Sequence, residues 1–348
     1  MATSFAEVRS PDVRPIGGNY QLDTAVIKAI PAGTEIFSAD RWGKSSWNTT
    51  VRIDTLDPDK CEKQYFLKCA SPGEHGKMMM EGEFSAMTEL YKFAPTFIPK
   101  PYTWGKFENT SPSTYFFLLE FKDMASELPC PEPFCSKLAK LHENSVSPTG
   151  KFGFHIATTH GKFPQYMVWT SSWEVMFRKI LSDLLLLDLA TNGPWKDFQD
   201  VYERVLTLVL PKLIRPLESE GRTVKPCLLH GDLWDGNVGV DNKTGRIYIF
   251  DASSFYGHNE LELGMWRDSH LNRMRWDIYG KEYLRMVGVS EPAHQFDDRN
   301  RIYHVKFLMW HSAHHPNDLA RKSAYENLRY LVNKYAPWPT DVPEKGSY

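Results

Sequence analysis

Short apolar runs rich in β-branched and aromatic residues predict a sheet in the first third of the chain. The runs that we interpret as strands cover residues 34–37, 49–53, 64–68, 102–105 and 115–121. Residues 79–93 differ, because their apolar side chains recur at the spacing of one helical face. This part of the chain is therefore predicted to hold an antiparallel sheet and one amphipathic helix.

Helical spacing dominates the remainder of the chain. Residues 173–188 and 198–218 are apolar at helical spacing, and both are predicted to be helices. The run 181–190 contains four consecutive leucines, but it is too short and too charged at its edges to span a bilayer, so we expect a buried helix. A strand at 226–229 and a hairpin formed by 238–240 and 247–250 interrupt the helices.

The composition is that of an ordinary globular protein. Net charge is −2 over 348 residues, which argues against a nucleic-acid or membrane surface as partner. The five cysteines are odd in number and lack metal-ligand spacing, and the N-terminus lacks the apolar core of a secretory signal. We therefore expect reduced thiols and a cytoplasmic location. No obligate protein partner is implied.

The stretch between the predicted strand and the hairpin carries the clearest chemistry. His230, Asp232 and Asn237 form the pattern H-x-D-x-x-x-x-N, and Asp251 follows the second strand of the hairpin. Phosphotransfer needs a carboxylate that orients the attacking hydroxyl and accepts its proton, a role that we assign to Asp232. It also needs oxygen ligands that hold Mg²⁺ on the phosphates of ATP, which we assign to Asn237 and Asp251. Asp and Asn in such loops are more often turn formers, but the ordered set between two apolar strands favours catalysis.

A phosphate-aligning pair is predicted in the N-terminal part. Lys68 lies near the end of a strand, in the position where a kinase lysine reaches the phosphates. Glu83 on the following helix is its predicted partner, with Glu81 as the alternative. A solvated lysine at a strand edge is the ordinary interpretation, and the helix that follows the strand is what favours the functional one.

Two further segments are expected to contact ATP. The loop around Gly43 and Ser45 offers backbone N–H and hydroxyl donors that can cover phosphates, although it has only one glycine. The backbone at Glu120 and Phe121, at the end of the apolar strand 115–121, is expected to read the adenine edge.

These elements together predict an α+β fold of the bilobal protein-kinase-like class. An N-terminal nucleotide-binding lobe would span residues 1–120 and contain the small antiparallel sheet. A larger, mostly helical lobe at 121–348 would carry the catalytic hairpin and the substrate pocket.

Several strings resemble the fructosamine-3-kinase (ketosamine-3-kinase) family. LLHGDLWDGNV at 228–238 and FDASSFYGHNELEL at 250–263 are similar to its signature, and KFGFHIATTHGKFPQ at 151–165 is similar to the segment before its substrate helices. The resemblance covers most of residues 30–270 and is loose after about 287. It implies ATP-dependent phosphorylation of the sugar 3-hydroxyl of ketosamines, as small molecules or on glycated proteins. The phosphorylated adduct then decomposes and releases the amine.

Substrate contacts are expected beside the catalytic residues. The resemblance implies that Trp234 helps to form the sugar pocket. Tyr256 and His258 follow the metal acid, so we expect them to contribute an aromatic face and hydrogen bonds to a sugar. His142 and the histidines within 311–315 are interpreted as structural instead.

Two other functions stay open. One is a kinase for an aminoglycoside, choline or another amino-alcohol, which would share the catalytic acids. The other is a pseudokinase that serves as a nucleotide-dependent binding module. The string FYGH favours ketosamines over the first, and the intact Lys68, Asp232, Asn237 and Asp251 argue against the second.

Overall fold

The fold is taken from a computed structural model that describes residues 16–45, 47–267, 272–316 and 319–339. Two compact units divide the chain. The first comprises the described residues up to Lys77 together with Tyr102–Phe121, and the second comprises Met78–Pro101 and the described residues from Lys122 onward.

The first unit is built on a five-stranded antiparallel sheet. Its strands are β1 (Glu35–Arg41), β2 (Thr49–Leu56), β3 (Glu62–Ala70), β4 (Pro101–Lys106) and β5 (Tyr115–Glu120), in the order β1-β2-β3-β5-β4. One face packs with α1 (Thr24–Ala29) into a core that includes Val26, Val51, Ile53, Leu67 and Leu118. The strands predicted from sequence are all present.

Strand β1 is longer than predicted. The predicted strand ended at residue 37, but residues 39–41 continue it by pairing with residues 51–53 of β2. The segment that precedes the strand pairs with it as well. Ala39 N–H donates to the Gly17 carbonyl and the Ala39 carbonyl accepts from Tyr20 N–H. The sequence pattern holds no sign of this pairing, since its partner lies about 20 residues away in the chain.

The predicted helix of the N-terminal part is α2, Gly73–Phe93, and most of it belongs to the second unit. A Cβ on Gly82 would lie 2.7 Å from the Ala157 carbonyl oxygen, so this helix approaches the chain at 157 closely. Beyond the helix, the Phe97 carbonyl accepts from Ile249 N–H, and the Phe97 ring lies 5.9 Å from that of Phe134. These contacts place residues 78–101 in the second unit rather than in a lobe that ends at residue 120.

The second unit is mostly helical. Its longer helices are α3 (Pro131–Asn144), α4 (Trp173–Asn192), α5 (Lys196–Arg204), α9 (Phe296–His314) and α10 (Leu319–Tyr335), with short helices α6 (Leu210–Leu213), α7 (Glu260–Leu263) and α8 (Lys281–Val287). Three short antiparallel pairs complete it: β6 (Thr158–His160) with β7 (Phe163–Gln165), β8 (Cys227–Leu229) with β11 (Phe255–Gly257), and β9 (Val238–Val240) with β10 (Ile247–Ile249). The predicted hairpin is therefore confirmed.

The predicted helix over 198–218 is interrupted. After α5 the chain forms a π-helical segment at Val205–Val209, then α6, then a 3₁₀ turn at Arg215–Glu218. Pro211 and Pro216 lack a backbone N–H, so a regular α-helical ladder cannot continue through them.

The four-leucine run lies on α4, but that helix is only partly buried. Leu184 is buried whereas Leu186 is 68% exposed, so the prediction of a buried helix holds for one face only. Among the described residues, no helix combines the length and the apolar character that crossing a bilayer requires.

Candidate active site

Strand β8 and the β9–β10 hairpin bring the predicted base and the two predicted metal ligands together. Phe250 N–H donates to the Asn237 carbonyl at 3.1 Å, which fixes the end of β10 beside the catalytic loop. The Asn237 amide Nδ2 donates to Asp232 Oδ2 at 3.1 Å and to the Asp232 carbonyl at 2.8 Å. It also lies 3.5 Å from the Asp251 carbonyl. The Asn237 side chain thus connects all three residues of the predicted site.

Gly231 is required at the turn before the predicted base. Its φ is +85°, a left-handed conformation that favours glycine, and a Cβ would lie 2.3 Å from the Ser253 carbonyl oxygen. The catalytic loop and the segment after Asp251 can therefore approach each other only if residue 231 has no side chain.

Asp251 also has a left-handed backbone, with φ of +60°. This conformation is uncommon for a residue with a side chain, although aspartate tolerates it better than most. The residue is exposed at the end of the hairpin. Backbone conformations of this kind are concentrated at functional sites.

His230 is a neutral structural ring. Its Nε2 lies 2.9 Å from the Phe250 carbonyl and its Nδ1 lies 3.4 Å from the backbone nitrogen of Asp232. Because a carbonyl only accepts, Nε2 carries the proton and Nδ1 accepts from Asp232 N–H. Burial lowers the pKa of His230, which favours this neutral form.

Glu262, on α7, binds the backbone of the catalytic loop at His230 and Gly231. It is fully buried, and its two oxygens accept the N–H groups of His230 at 2.6 Å and Gly231 at 3.0 Å. Burial alone would raise its pKa, but nearby imidazoles and the backbone donors lower it, so the carboxylate stays ionised. The ring of His142 contributes from 3.8 Å, a distance too long for a hydrogen bond, and its other nitrogen pairs with Tyr283. This arrangement agrees with the structural role predicted for His142.

His160 is a neighbour of the base that the sequence analysis missed. Its Nε2 lies 3.0 Å from Asp232 Oδ1, out of line for a well-formed hydrogen bond, so the contact is chiefly electrostatic. The ring stacks on Trp310 of α9, with centroids 4.8 Å apart. Burial would raise the pKa of Asp232, but its interactions with the neighbouring His160 and Lys306 outweigh that effect and lower the pKa to about 2. The carboxylate is therefore ionised at neutral pH.

Lys306 is a second residue close to the predicted base that the sequence analysis missed. It lies on α9 with no exposed surface, and its Nζ donates to the Gly231 carbonyl at 3.0 Å. Burial lowers its pKa to about 8, although Asp232 and Glu262 act in the opposite direction. The sequence does contain one signal for this residue, because Lys306 is a charged residue inside the apolar run 302–310.

The three predicted substrate residues have different environments. Trp234 is 39% exposed, beside the base, and so can contact a ligand. Tyr256 is buried and its hydroxyl donates to Glu89 at 2.9 Å. His258 is buried as well, with its two ring nitrogens 2.9 Å from the hydroxyls of Tyr303 and Ser290.

The substrate role predicted for Tyr256 and His258 is therefore not supported. Strand β11 runs antiparallel to β8, with Phe255 opposite Leu229 and Gly257 opposite Cys227. Each step along β11 leads the chain away from the catalytic loop that begins at His230. Tyr256 and His258 are close to Asp251 in sequence, but this closeness does not place their side chains at the catalytic loop.

The nucleotide-binding residues predicted for the sheet lie in the first unit. Lys68 is buried in β3, paired in register with Phe117 of β5. Gly43 has φ of +75° in the loop between β1 and β2. Ser45 in that loop accepts the N–H groups of Trp47 and Asn48, so its oxygen stabilises the turn.

Glu120 and Phe121, at the end of β5, differ in which backbone hydrogen-bonding groups are available to bind adenine. Phe121 N–H donates to the Gln64 carbonyl at 3.2 Å, so this donor is used by the sheet and cannot read a base. Its ring packs edge-on against Trp42, at 5.4 Å between centroids. Glu120 pairs in register with Tyr65. Glu83 lies in the second unit, where it is buried on α2.

The donor set suits magnesium better than a transition metal. Asn237 and Asp251 offer amide and carboxylate oxygens, the ligands that Mg²⁺ takes from proteins when phosphates complete its coordination. Among the described residues, no group of three His, Cys, Asp or Glu side chains could hold a metal ion by itself. The histidines of 311–315 stand at the end of α9, as predicted.

Comparison with known proteins gives one consistent family. The sequence model of the family described as fructosamine kinase matches residues 24–331, which include α9. A chloroplastic protein-ribulosamine 3-kinase of Oryza sativa subsp. japonica is 30% identical over 257 residues, 73% of this chain and 67% of that protein.

Solved structures agree on the fold. A Haemophilus somnus 129PT structure named as a fructosamine-3-kinase has a TM-score of 0.66, with 17% identity and coverage of 85% of this chain and 92% of that one. An aminoglycoside phosphotransferase solved with AMP-PNP and hygromycin B has a TM-score of 0.60, with 16% identity and coverage of 90% and 98%. The predicted α+β, protein-kinase-like class is confirmed. The chain belongs to the fructosamine kinase family.

Proposed function

We propose that this protein is an ATP-dependent ketosamine 3-kinase that phosphorylates the sugar 3-hydroxyl of fructosamine or ribulosamine adducts of lysine amines. The observation that supports this most is the single hydrogen-bonded set of Asp232, Asn237 and Asp251, in a member of the fructosamine kinase family. Decomposition of the phosphorylated adduct would release the amine, so the activity would repair glycated amines.

Asp232 is the group that receives the acceptor hydroxyl. Asn237 holds Oδ2 of this carboxylate, and the ionised Oδ1 is available to accept a hydrogen bond from the hydroxyl. As the new O–P bond to the γ-phosphorus forms and the bond to ADP breaks, the hydroxyl proton passes to Asp232 and then to solvent.

Asn237 and Asp251 are the residues that would hold Mg²⁺. When bound, the ion neutralises phosphate charge and aligns the phosphates. The contact from Asn237 Nδ2 to Asp232 leaves the amide oxygen as the atom of this side chain that can bind a metal. The left-handed backbone of Asp251 sets the direction in which its carboxylate leaves the hairpin.

Nucleotide contacts in the first unit form part of the proposal. Lys68 would bind the ATP phosphates, and its pairing with Glu83 stays a prediction. Backbone N–H groups near Gly43 and the hydroxyl hydrogen of Ser45 would cover the phosphates. At the end of β5 the carbonyl groups of Glu120 and Phe121, rather than Phe121 N–H, are the candidates for adenine.

Trp234 is the proposed sugar-contacting residue. An aromatic face packs on the apolar C–H face of a sugar, and this ring has free surface next to the base. An exposed ring also suits substrates of two sizes, either a free ketosamine or an adduct on a protein.

A kinase for an amino-alcohol is the second candidate, because an aminoglycoside phosphotransferase shares the fold. ATP consumption measured with fructoselysine, ribuloselysine, choline and an aminoglycoside separates the two. We expect turnover with the ketosamines and at most background with the others. Turnover with choline or the aminoglycoside alone would overturn the substrate assignment and keep the kinase assignment.

A cytoplasmic, reducing location is also proposed. The five cysteines are free, and burial raises the pKa of the Cys69 and Cys135 thiols to about 12, which keeps them protonated. The rice relative is named chloroplastic, so cell fractionation is the test. Recovery of the protein in an organelle fraction would contradict the proposal.

A further inference from the structure

Gly231 joins two peptide groups, and the second of them carries the backbone nitrogen and Cα of Asp232. Gly231 has a left-handed conformation, and it has no side chain to restrict rotation about its φ and ψ angles. Its conformation therefore depends on the contacts of the peptide groups on either side. Whatever fixes the two peptide planes on either side of Gly231 therefore fixes the position of the Asp232 Cα atom, from which the predicted base projects and is further held by Asn237.

The first peptide plane, between His230 and Gly231, is held at both ends. Its carbonyl accepts from Ser253 N–H at 2.9 Å, and its N–H donates to Glu262 Oε1 at 3.0 Å. These contacts come from the segment after Asp251 and from α7, respectively.

The second peptide plane, between Gly231 and Asp232, is also held at both ends. Its N–H donates to His230 Nδ1 at 3.4 Å, and its carbonyl accepts from Lys306 Nζ at 3.0 Å. The imidazole contact is long, so the lysine is the stronger of the two restraints. It is also the one restraint of the four that comes from α9.

Burial of the Lys306 ammonium beside the Gly231 carbonyl costs folding free energy. Lys306 has no exposed surface, and within the described part of the chain no carboxylate lies within 4.0 Å of its ammonium. Its hydrogen-bond acceptor is the Gly231 carbonyl, and the rings of Phe307 and Phe255 lie 4.1 and 6.0 Å away. The charged groups that face it are Asp232 and Glu262. A buried, unpaired ammonium destabilises a fold unless its contacts compensate.

We infer that Lys306 is a positioning residue for phosphotransfer, which acts by holding the Gly231 carbonyl and so orienting the Asp232 carboxylate toward the acceptor hydroxyl. The inference rests on the proposed function of Asp232 as the base. It assigns to α9 a part in the reaction that neither the H-x-D-x-x-x-x-N motif nor the β9–β10 hairpin supplies. Loss of the restraint lowers the rate of transfer, while the binding of MgATP and acceptor is unaffected.

Two substitutions separate the hydrogen bond from the space that the side chain fills. Lys306→Met keeps an unbranched chain and removes the donor, whereas Lys306→Gln keeps an N–H donor. Ser312→Ala is the matched control, because Ser312 is also buried on α9, but its hydroxyl bonds Asp188 at 3.1 Å rather than the catalytic loop.

The measurement is kcat and both KM values for each folded variant, with the acceptor that the parent protein phosphorylates. We expect Lys306→Met to lose about 10–100-fold in kcat, as misplacement of a reacting group does, with each KM changed less than about threefold. Lys306→Gln recovers most of that loss, and Ser312→Ala stays within about threefold of the parent in all three constants.

Parental kcat in Lys306→Met would overturn the inference, as would equal damage to kcat and both KM values. If Lys306→Met does not fold, Lys306→Gln decides: a folded Gln variant with kcat as low as that of an Asp232 variant excludes a role based on the donor. The proposed substrate fails separately, through the parent protein's own turnover. If the parent phosphorylates no acceptor tested, the same ratios are taken from its MgATP hydrolysis.

Discussion

At the scale of single residues, the proposed function depends on how a few polar side chains are held rather than on their presence alone. Asp232 is contacted by Asn237 on one oxygen and by His160 near the other, and its backbone is fixed through Gly231. Such a carboxylate is ionised and oriented before any substrate arrives. Preorganisation of this kind is what a phosphotransfer base requires.

Asp251 provides a test of the metal assignment. We expect Asp251→Ala to weaken Mg²⁺-dependent ATP binding by about tenfold or more, because loss of a ligand costs at least as much as loss of a group that supports one. Calorimetric titration of ATP with and without Mg²⁺ measures this. Asp235→Asn is the control, since Asp235 lies in the same loop but pairs with Arg273. Equal Mg²⁺ dependence in Asp251→Ala and the parent would reduce Asp251 to a turn residue.

The proximity of the candidate site residues was predictable from sequence because they are close in the chain. His230, Asp232 and Asn237 fall within one loop, and Asp251 is connected to it by a hairpin whose strands and turn are both visible in the sequence. His160 and Lys306 were not predictable in this way. Each is far from the motif in sequence, and only the tertiary fold brings it to Asp232 or Gly231.

At the scale of elements, local pattern predicted the type of most helices and strands but not their direction. Tyr256 and His258 were expected at the sugar because they follow Asp251 in sequence, whereas the pairing of β11 with β8 places both side chains in the core. The helix over 198–218 was read as regular although it contains two prolines. Assignment of 78–101 to the second unit depends on contacts between distant segments, which periodicity does not encode.

The buried position of His258 predicts how stability depends on pH. Burial lowers its pKa from 6.5 to about 4, against an opposing effect of Glu260, whereas Arg299 and His142 lower it further. Because the unfolded chain binds the proton more readily, stability is fully present above about pH 6.5 and is lost as pH falls toward 4. We expect this group to contribute a loss of about 1 kcal/mol between pH 7.5 and pH 5.5.

Urea unfolding of the parent and of His258→Gln at those two pH values measures that contribution. The variant should lose less stability on acidification, by about the stated amount. His294→Gln is the control, because this histidine is exposed. An identical pH dependence in the parent and both variants would show that His258 is not buried in its neutral form.

At the scale of the whole molecule, the chemistry is shared unevenly between the two units. The second unit contains the proposed base, both candidate metal ligands and the restraints on Gly231. The first unit contributes the sheet that carries Lys68 and the loop at Gly43. The family match covers residues 24–331 and so extends across both units and through α9.

The most direct test of the central claim is to identify the product that the parent protein and Asp232→Asn form from fructoselysine and MgATP, using phosphorus and proton NMR. We predict that the parent transfers phosphate to the 3-hydroxyl, seen as coupling of the phosphorus to the proton on carbon 3. Asp232→Asn should form the same product about 10²–10⁴-fold more slowly, the usual contribution of a general base, while binding MgATP as the parent does. Phosphate on another hydroxyl, or equal rates in the two proteins, would contradict the account.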